Sequence, residues 1–290
     1  MDGWQAAAVI AKAITYGASL AAPGAGLFLV LFGDQLTAEE QDRLIRTGLA
    51  GLGLAAIASL VRIPIISGML GGDLSDLANG TLIAIVIKAG EGRATALRLV
   101  GLMVVAIGFF APRVRFIGIV TGTAFVCVSF ALIGHARAVE PRPFGDGLLV
   151  IHLLGLTYWI GALYPLWRLT HSPDTARIGV IAGAFGHLAL SVVAALVVAG
   201  AILLWLLIGD PLTILTSAYG RLVFAKLALV ALLLTLAALN KLRLTPRLTA
   251  RDASAATALR RSIFVEMLVV GLILLVTATF TTLVGPPTLD

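Results

Sequence analysis

Charged residues are scarce in this chain. Of its 290 residues only 12% are Asp, Glu, Lys or Arg, whereas 59% are hydrophobic. A soluble globular domain carries about 25% charged residues, and the mean hydropathy of +1.03 is strongly apolar. Nearly uncharged stretches of about 18 residues or more recur to the end of the chain, which leaves no room for a soluble domain. We therefore predict one integral-membrane domain, residues 1–290.

Several sequence features of common protein classes are also missing. Cys127 is the only cysteine, so an internal disulfide is excluded, and no Cys-x-x-Cys or Cys/His cluster suggests zinc or an iron–sulfur centre. The chain contains no Walker-type phosphate loop, no Gly-x-Ser-x-Gly and no His-Glu-x-x-His. These absences argue against an enzyme. They also predict that any transport runs downhill or is driven by a partner.

The apolar stretches predict an all-α membrane bundle, because about 20 residues cross the hydrocarbon core as a helix. The run from Leu82 to Lys88 is too short for a span and is predicted to be re-entrant or interfacial. The eight predicted spans are residues 4–32, 44–70, 94–110, 116–135, 147–168, 178–208, 219–240 and 262–284.

The basic residues set the expected topology. The net charge of +6 does not indicate nucleic-acid binding, because the cations lie beside apolar spans. Cytoplasmic connections carry the excess of Lys and Arg, so both termini are predicted to face the periplasm. The connections predicted to be cytoplasmic contain Arg43, Arg46, Arg113, Arg115, Arg168, Arg177, Lys241, Arg243, Arg247, Arg251, Arg260 and Arg261.

Two histidines near the periplasmic side are the leading candidates for metal binding. His135 ends the fourth predicted span and His152 lies near the start of the fifth, so antiparallel packing of these helices would bring the imidazoles to similar depth. Neutral imidazole suits copper, whereas Mg²⁺ and Ca²⁺ prefer oxygen ligands. Asp146, Met69 or water can complete such a site. Each histidine alone is also explained by an interhelical hydrogen bond, and Asp146 by a helix N-cap.

A second candidate site lies nearer the cytoplasmic side. His187 is in the sixth span and Glu266 is in the eighth, and an ionisable residue inside a span is a functional candidate. A salt bridge or a helix N-terminus would equally account for Glu266. Cys127, Met103 and Met267 suit Cu(I) as soft ligands but are better explained by packing.

Five cations fall within or at the edge of spans, and each needs a carboxylate, a carbonyl, water or a route to the surface. They are Lys12, Arg62, Arg98, Arg221 and Lys226. A cation beside a copper path repels the ion, so we expect these residues to lock helices together or to reach the membrane surface.

The order of several short motifs resembles the copper resistance protein D family from about the fourth span to the C-terminus. The Tyr-Gly-Arg…Lys…Asn…Pro order is the most specific part of the resemblance. The matching positions are Gly134-His135-Ala136, His152, Trp159 to Leu163, Ser217 to Arg221, Lys226, Asn240, Pro246 and Glu266.

The resemblance implies an eight-helix inner-membrane protein that moves copper from the periplasm inward, often with a periplasmic copper carrier of the copper resistance C type. By motif match, His135 and His152 are the expected copper contacts. The roles of Trp159, Tyr219, Arg221, Lys226, Asn240 and Glu266 are less specific.

Two other functions remain open at this point. Paired histidines can hold a b-type haem in a transmembrane redox protein, which would show a Soret band. Alternatively, the chain can be a membrane receptor that docks a periplasmic copper chaperone without transporting copper.

Overall fold

The computed structural model describes residues 3–133, 141–208 and 218–283, and within these ranges the chain is helical, without strands. Eight helical stretches in these ranges are long and apolar enough to cross a membrane, which confirms the predicted multi-pass α-helical fold. The helices are α1 Gly3–Phe32, α2 Ala38–Gly71, α3 Gly80–Lys88, α4 Gly90–Phe110, α5 Arg115–Ala131, α6 Arg142–Leu169, α7 Thr175–Ile208, α8 Ala218–Leu239, α9 Thr245–Thr249 and α10 Ala253–Leu283.

Several helices begin earlier than the apolar pattern predicted, because their first turns are polar. In α2 the Thr37 hydroxyl accepts a hydrogen bond from the Glu40 backbone N–H at 3.2 Å, and the Glu40 carboxylate accepts one from the Thr37 N–H at 2.9 Å. This capping box starts the helix at Ala38 rather than near residue 44. The predicted re-entrant or interfacial run lies in α3, whose nine residues extend only about 14 Å.

Both ends of the described chain lie at the same end of the bundle, which we call the terminal end. Lys12, near the start of α1, donates to the Thr281 carbonyl near the end of α10 at 2.8 Å. There the Trp4 indole N–H, at the start of α1, donates to the Gly72 carbonyl after α2 at 2.9 Å. At the opposite end, Arg177 of α7 pairs with Glu40 of α2 at 2.8 Å. Helices of alternating direction are therefore tied together at both ends.

Helix α1 occupies the centre of the bundle and packs against α2, α4, α5, α6 and α10. It approaches α6 closely where Gly24 meets Gly161 backbone to backbone. A Cβ on either glycine would overlap the other helix. Small residues permit this contact because helices in a membrane associate through close van der Waals packing. The crossing sets the position of Trp159, two residues before Gly161.

The α8 helix continues through a π-helical segment, Asn240–Leu244, into α9. A π-helical turn inserts an extra residue into the helical repeat, and such turns are frequent at functional sites. The insertion places Asn240 against α10, where Glu266 lies.

Candidate functional site

His152 lies on the face of α6 that packs against α7. Its ring Nδ1 is 2.9 Å from the Leu196 carbonyl oxygen, and Gly200 of α7 leaves space for the ring, since a Cβ there would lie 2.9 Å from Cε1 and Nδ1. A carbonyl oxygen can only accept, so Nδ1 carries the proton and Nε2 keeps a lone pair. When one imidazole nitrogen binds a metal, the other usually donates to a carboxylate, a backbone carbonyl or water, so this contact is compatible with metal binding at Nε2.

Lys226 of α8 is close enough to His152 to act on it electrostatically. Its Nζ lies 5.4 Å from the centre of the Phe280 ring, a cation–π contact with α10. Lys226 therefore joins α8 to α10, as expected for a cation that locks helices. Its positive charge also opposes the binding of a cation at His152.

The other predicted copper contacts near the terminal end do not all lie beside His152 in the described structure. His135 lies outside the described residues. Asp146 is half-buried, and its Oδ1 is buried without a hydrogen-bond partner. The N-cap explanation for Asp146 is wrong, because α6 begins at Arg142 with Pro141 as its N-cap. Met69 is 42% exposed and lines a cleft with Lys12 and Arg62, whereas His152 faces α7.

Among the residues that the structure describes, no three His, Cys, Asp or Glu side chains converge in a possible metal-ligand group. The soft candidate Cys127 is buried, and its Sγ lies 3.7 Å from the Thr157 hydroxyl, a weak hydrogen bond between α5 and α6. The described part of the chain thus offers an imidazole at His152 whose orientation is fixed by a hydrogen bond, and a carboxylate oxygen at Asp146 without a partner. It does not offer a complete set of metal ligands.

Glu266 forms a second polar centre in the core of the bundle. Glu266 is only 3% exposed. The Trp159 indole N–H of α6 donates to Oε2 at 3.4 Å, and the Asn240 amide of the π-helical segment donates to Oε1. Asn240 Oδ1 has no partner in the described structure. The structure therefore brings together three positions that the sequence singled out separately.

Neither alternative explanation for Glu266 holds among the described residues. Its two donors are the neutral side chains of Trp159 and Asn240, and no salt bridge to it occurs among the described residues. It lies 13 residues after Ala253, far from the start of α10, where the helix dipole no longer acts. A buried carboxylate without a counter-cation is costly in a membrane span, which favours a functional role.

His187 is not held with Glu266 by any hydrogen bond. Its ring Nδ1 is 2.8 Å from the Gly183 carbonyl oxygen of its own helix, and its side chain is exposed. Two further family positions lie near the start of α8. Arg221 is exposed, and the side chain of Tyr219 lies outside the description.

The buried cations find the partners that the sequence required. The Lys12 ammonium donates to the Thr281 carbonyl at 2.8 Å, and Arg62 pairs with Glu91 at 3.2 Å. The sequence prediction omitted Glu91 because it lies just before a predicted span, where a carboxylate is expected to be solvated.

Arg98 is fully buried. It donates from Nε to the Ser129 hydroxyl at 3.2 Å and from Nη1 to the Ser59 hydroxyl at 3.4 Å. Its guanidinium carbon also lies 4.2 Å from the centre of the Phe130 ring. These contacts join α4 to α2 and α5 without a carboxylate.

Comparison with known proteins extends the family resemblance into the N-terminal half. Residues 1–141 match the family model "Copper resistance protein D-like, N-terminal domain", and residues 179–280 match "Copper resistance protein D". The chain belongs to the copper resistance protein D family. These matches confirm the family that the sequence resembled.

A relative in Bacillus subtilis (strain 168) is named copper transport protein CutJ. The chain is 26% identical to it over 184 residues, which cover 61% of this chain and 31% of that protein. The chain therefore matches about a third of the length of this relative. No solved structure matches the chain.

Proposed function

We propose that this protein is an inner-membrane copper transporter that takes up copper at the terminal end of the bundle and passes it towards the cytoplasm. The observation that carries the proposal is His152, an imidazole inside a span whose Nδ1 is held by the Leu196 carbonyl. That contact leaves Nε2 with a lone pair for a metal. Membership of a copper resistance family supports copper as the cargo.

The proposed direction rests on the distribution of charge. Arg43 in the first turns of α2, Arg113 between α4 and α5, and Arg247 in α9 all lie at the opposite end of the bundle. Cytoplasmic connections carry the excess of basic residues. The opposite end is therefore the cytoplasmic one, and the terminal end is periplasmic. His152 lies nearer to the terminal end.

Copper entry involves His152 together with His135, and Asp146 supplies an oxygen ligand or draws the cation towards the bundle. The Oδ1 of Asp146 has no hydrogen-bond partner among the described residues, so it is available to a cation. The donor is a periplasmic copper-binding protein of the copper resistance C type, which would release copper directly to the imidazoles.

Glu266 provides an internal station on the path. Its carboxyl group is held by neutral donors, so no fixed cation of the protein competes with a passing cation for its oxygens. The unpartnered Oδ1 of Asn240 adds a further oxygen. Because His187 bonds to its own helix, we assign this station to Glu266 and Asn240 without it.

Copper loading of proteoliposomes tests this function. Vesicles containing the protein should accumulate copper, and Glu266→Gln should slow the initial rate by about tenfold, because it removes the ionisable carboxyl group from a buried station. Glu39→Gln is the control, since Glu39 forms an exposed pair with Arg43, and it should load at the unchanged rate.

Two results would contradict transport. Stoichiometric copper binding without vesicle loading would identify a receptor for a copper carrier. A Soret band in the purified protein, without bound copper, would identify a b-type haem protein. Unchanged loading by Glu266→Gln would remove Glu266 from the path and leave the entry site standing.

Removing the cation near the entry site should strengthen copper binding. Lys226→Met keeps the length and packing of the side chain but removes the charge that acts on His152. We expect copper affinity to rise by about tenfold, a typical size for one nearby like charge at partial burial. Competition with a copper chelator measures the affinity. Lys88→Met, at an exposed lysine of α3, should leave it unchanged, and weaker binding by Lys226→Met would contradict the assignment.

A further inference from the structure

A cluster of positive charge lies between α1, α2 and α4, apart from the polar sites at His152 and Glu266. Arg62 and Glu91 both act electrostatically on Lys12 and on Arg98. Three cations therefore share one carboxylate in this region, and Arg62 is only 6% exposed. An excess of buried positive charge in a membrane span requires a counter-charge.

The hydrogen bonds of the cluster leave donors unused. Arg62 donates from Nη2 to Glu91, but its buried Nη1 has no partner in the described structure. The hydroxyl of Thr282 is likewise buried and unpartnered. Lys12 gives one of its three ammonium protons to the Thr281 carbonyl. Buried donors are normally hydrogen-bonded in folded proteins, so these donors are available to a ligand that carries acceptor oxygens.

These three side chains meet at one cleft of about 200 Å³ at the terminal end of the bundle. Its polar wall is formed by Lys12, Arg62, Thr281 and Thr282, and its apolar wall by Ala8, Ile65, Ile66 and Met69. The polar side chains on the wall are donors, and two of them are cations. Such a cleft is complementary to an anion with several acceptor oxygens and unsuited to copper.

The depth of the cleft agrees with a phosphate at the membrane surface. Lys12 lies nine residues, about 14 Å, along α1 from Gly3, and the 30-residue helix exceeds the hydrocarbon core of about 30 Å by roughly 15 Å, shared between its ends. The Cα of Lys12 then lies about 6 Å beneath the hydrocarbon boundary. The lysine side chain is long enough to extend from there towards the level of the lipid phosphates.

We propose that Lys12, Arg62 and Thr282 form a binding site for a phosphate-class oxyanion, supplied by an anionic lipid headgroup or by free phosphate. The charge of the oxyanion balances the cationic cluster and joins α1, α2 and α10. Basic pockets between transmembrane helices bind lipid headgroups by the same chemistry. The site is separate from the copper path and does not depend on it.

Two binding measurements distinguish the sources of the oxyanion. Native mass spectrometry of the detergent-purified chain measures retention of phosphatidylglycerol against phosphatidylcholine. Calorimetric titration of the delipidated protein with potassium phosphate, against potassium chloride at equal ionic strength, measures the free ion. We expect a preference of about tenfold for the phosphate-bearing ligand in at least one arm, typical of a charge-assisted contact.

The variants target the donors one at a time. Lys12→Met should abolish most of the preference, and Thr282→Val, which keeps the shape of the side chain, should reduce it by about threefold. Lys88→Met is the control. It removes an exposed lysine of α3, the short helix that links α2 to α4 at the terminal end, and should change the preference in neither arm. If Lys12→Met does not fold, Thr282→Val still decides the result.

An effect in the lipid arm alone assigns the site to a headgroup, and an effect in the phosphate arm alone assigns it to free phosphate. The proposal is overturned if the wild-type chain shows no preference in either arm. It is equally overturned if the folded variants keep the full preference, or if Lys88→Met loses as much as Lys12→Met.

Discussion

Replacing His152 by asparagine is expected to lower copper affinity more than about tenfold while leaving the fold intact. The asparagine amide can donate to the Leu196 carbonyl as Nδ1 does now, so the contact between α6 and α7 is kept. It has no counterpart of Nε2, the nitrogen proposed to bind copper. Loss of a group that merely orients a metal ligand costs about 10–100-fold in affinity, and loss of the ligand itself should cost at least as much.

Metal analysis of the purified protein, combined with chelator competition, measures this effect. His171→Ala is the matched control, because that imidazole is exposed and its Nδ1 lies 3.2 Å from the Trp167 carbonyl of its own turn. The double variant His135→Ala/His152→Asn should bind no copper at the entry site. Full copper stoichiometry in the double variant would show that neither imidazole holds the ion.

Valine at Gly161 is expected to prevent folding or to destabilise the protein by at least about 3 kcal/mol. The backbones of α1 and α6 touch at Gly24 and Gly161, and any Cβ there overlaps main-chain atoms. A main-chain overlap cannot be relieved by a rotamer change, so the two helices would have to separate. Their separation would also displace Trp159 from Glu266.

Thermal unfolding in detergent, together with the yield of monodisperse protein, measures this prediction. Gly271→Val carries the same substitution in α10, where a Cβ meets no atom within 4 Å, and it should fold as the wild-type chain does. Similar melting temperatures for Gly161→Val and the wild-type chain would show that the close crossing of α1 and α6 is absent from the folded protein.

The polar centre at Glu266 shows where sequence reasoning stops. Glu266 was identified because a carboxylate inside an apolar span is unusual, but its partners lie 107 and 26 residues away in the chain. Apolar periodicity carries no information about which helix faces contact each other. The π-helical segment that brings Asn240 to Glu266 also leaves no signature in the apolar pattern.

The proposed pairing of His187 with Glu266 illustrates the same limit. Both residues were predicted to lie nearer the cytoplasmic side of their spans, which made the pairing plausible, but His187 is exposed and bonds to Gly183. Depth follows from counting residues along a helix, whereas the direction of a side chain depends on how the helix is rotated in the bundle. Arg62 and Glu91 show the opposite case, in which two residues that the sequence did not pair form an ion pair. They meet because α2 packs against α4.

The sequence by itself determined that this chain is a multi-pass helical membrane protein of a copper resistance family. It could do so because the hydrocarbon core requires about 20 apolar residues per span, and because the order of motifs along the chain is independent of packing. Only the tertiary structure decided that His152 faces the Leu196 carbonyl, that Glu266 has neutral donors, and that Lys12, Arg62 and Thr282 share a cleft. These facts depend on the rotation and close approach of helices, which small residues such as Gly24 and Gly161 permit.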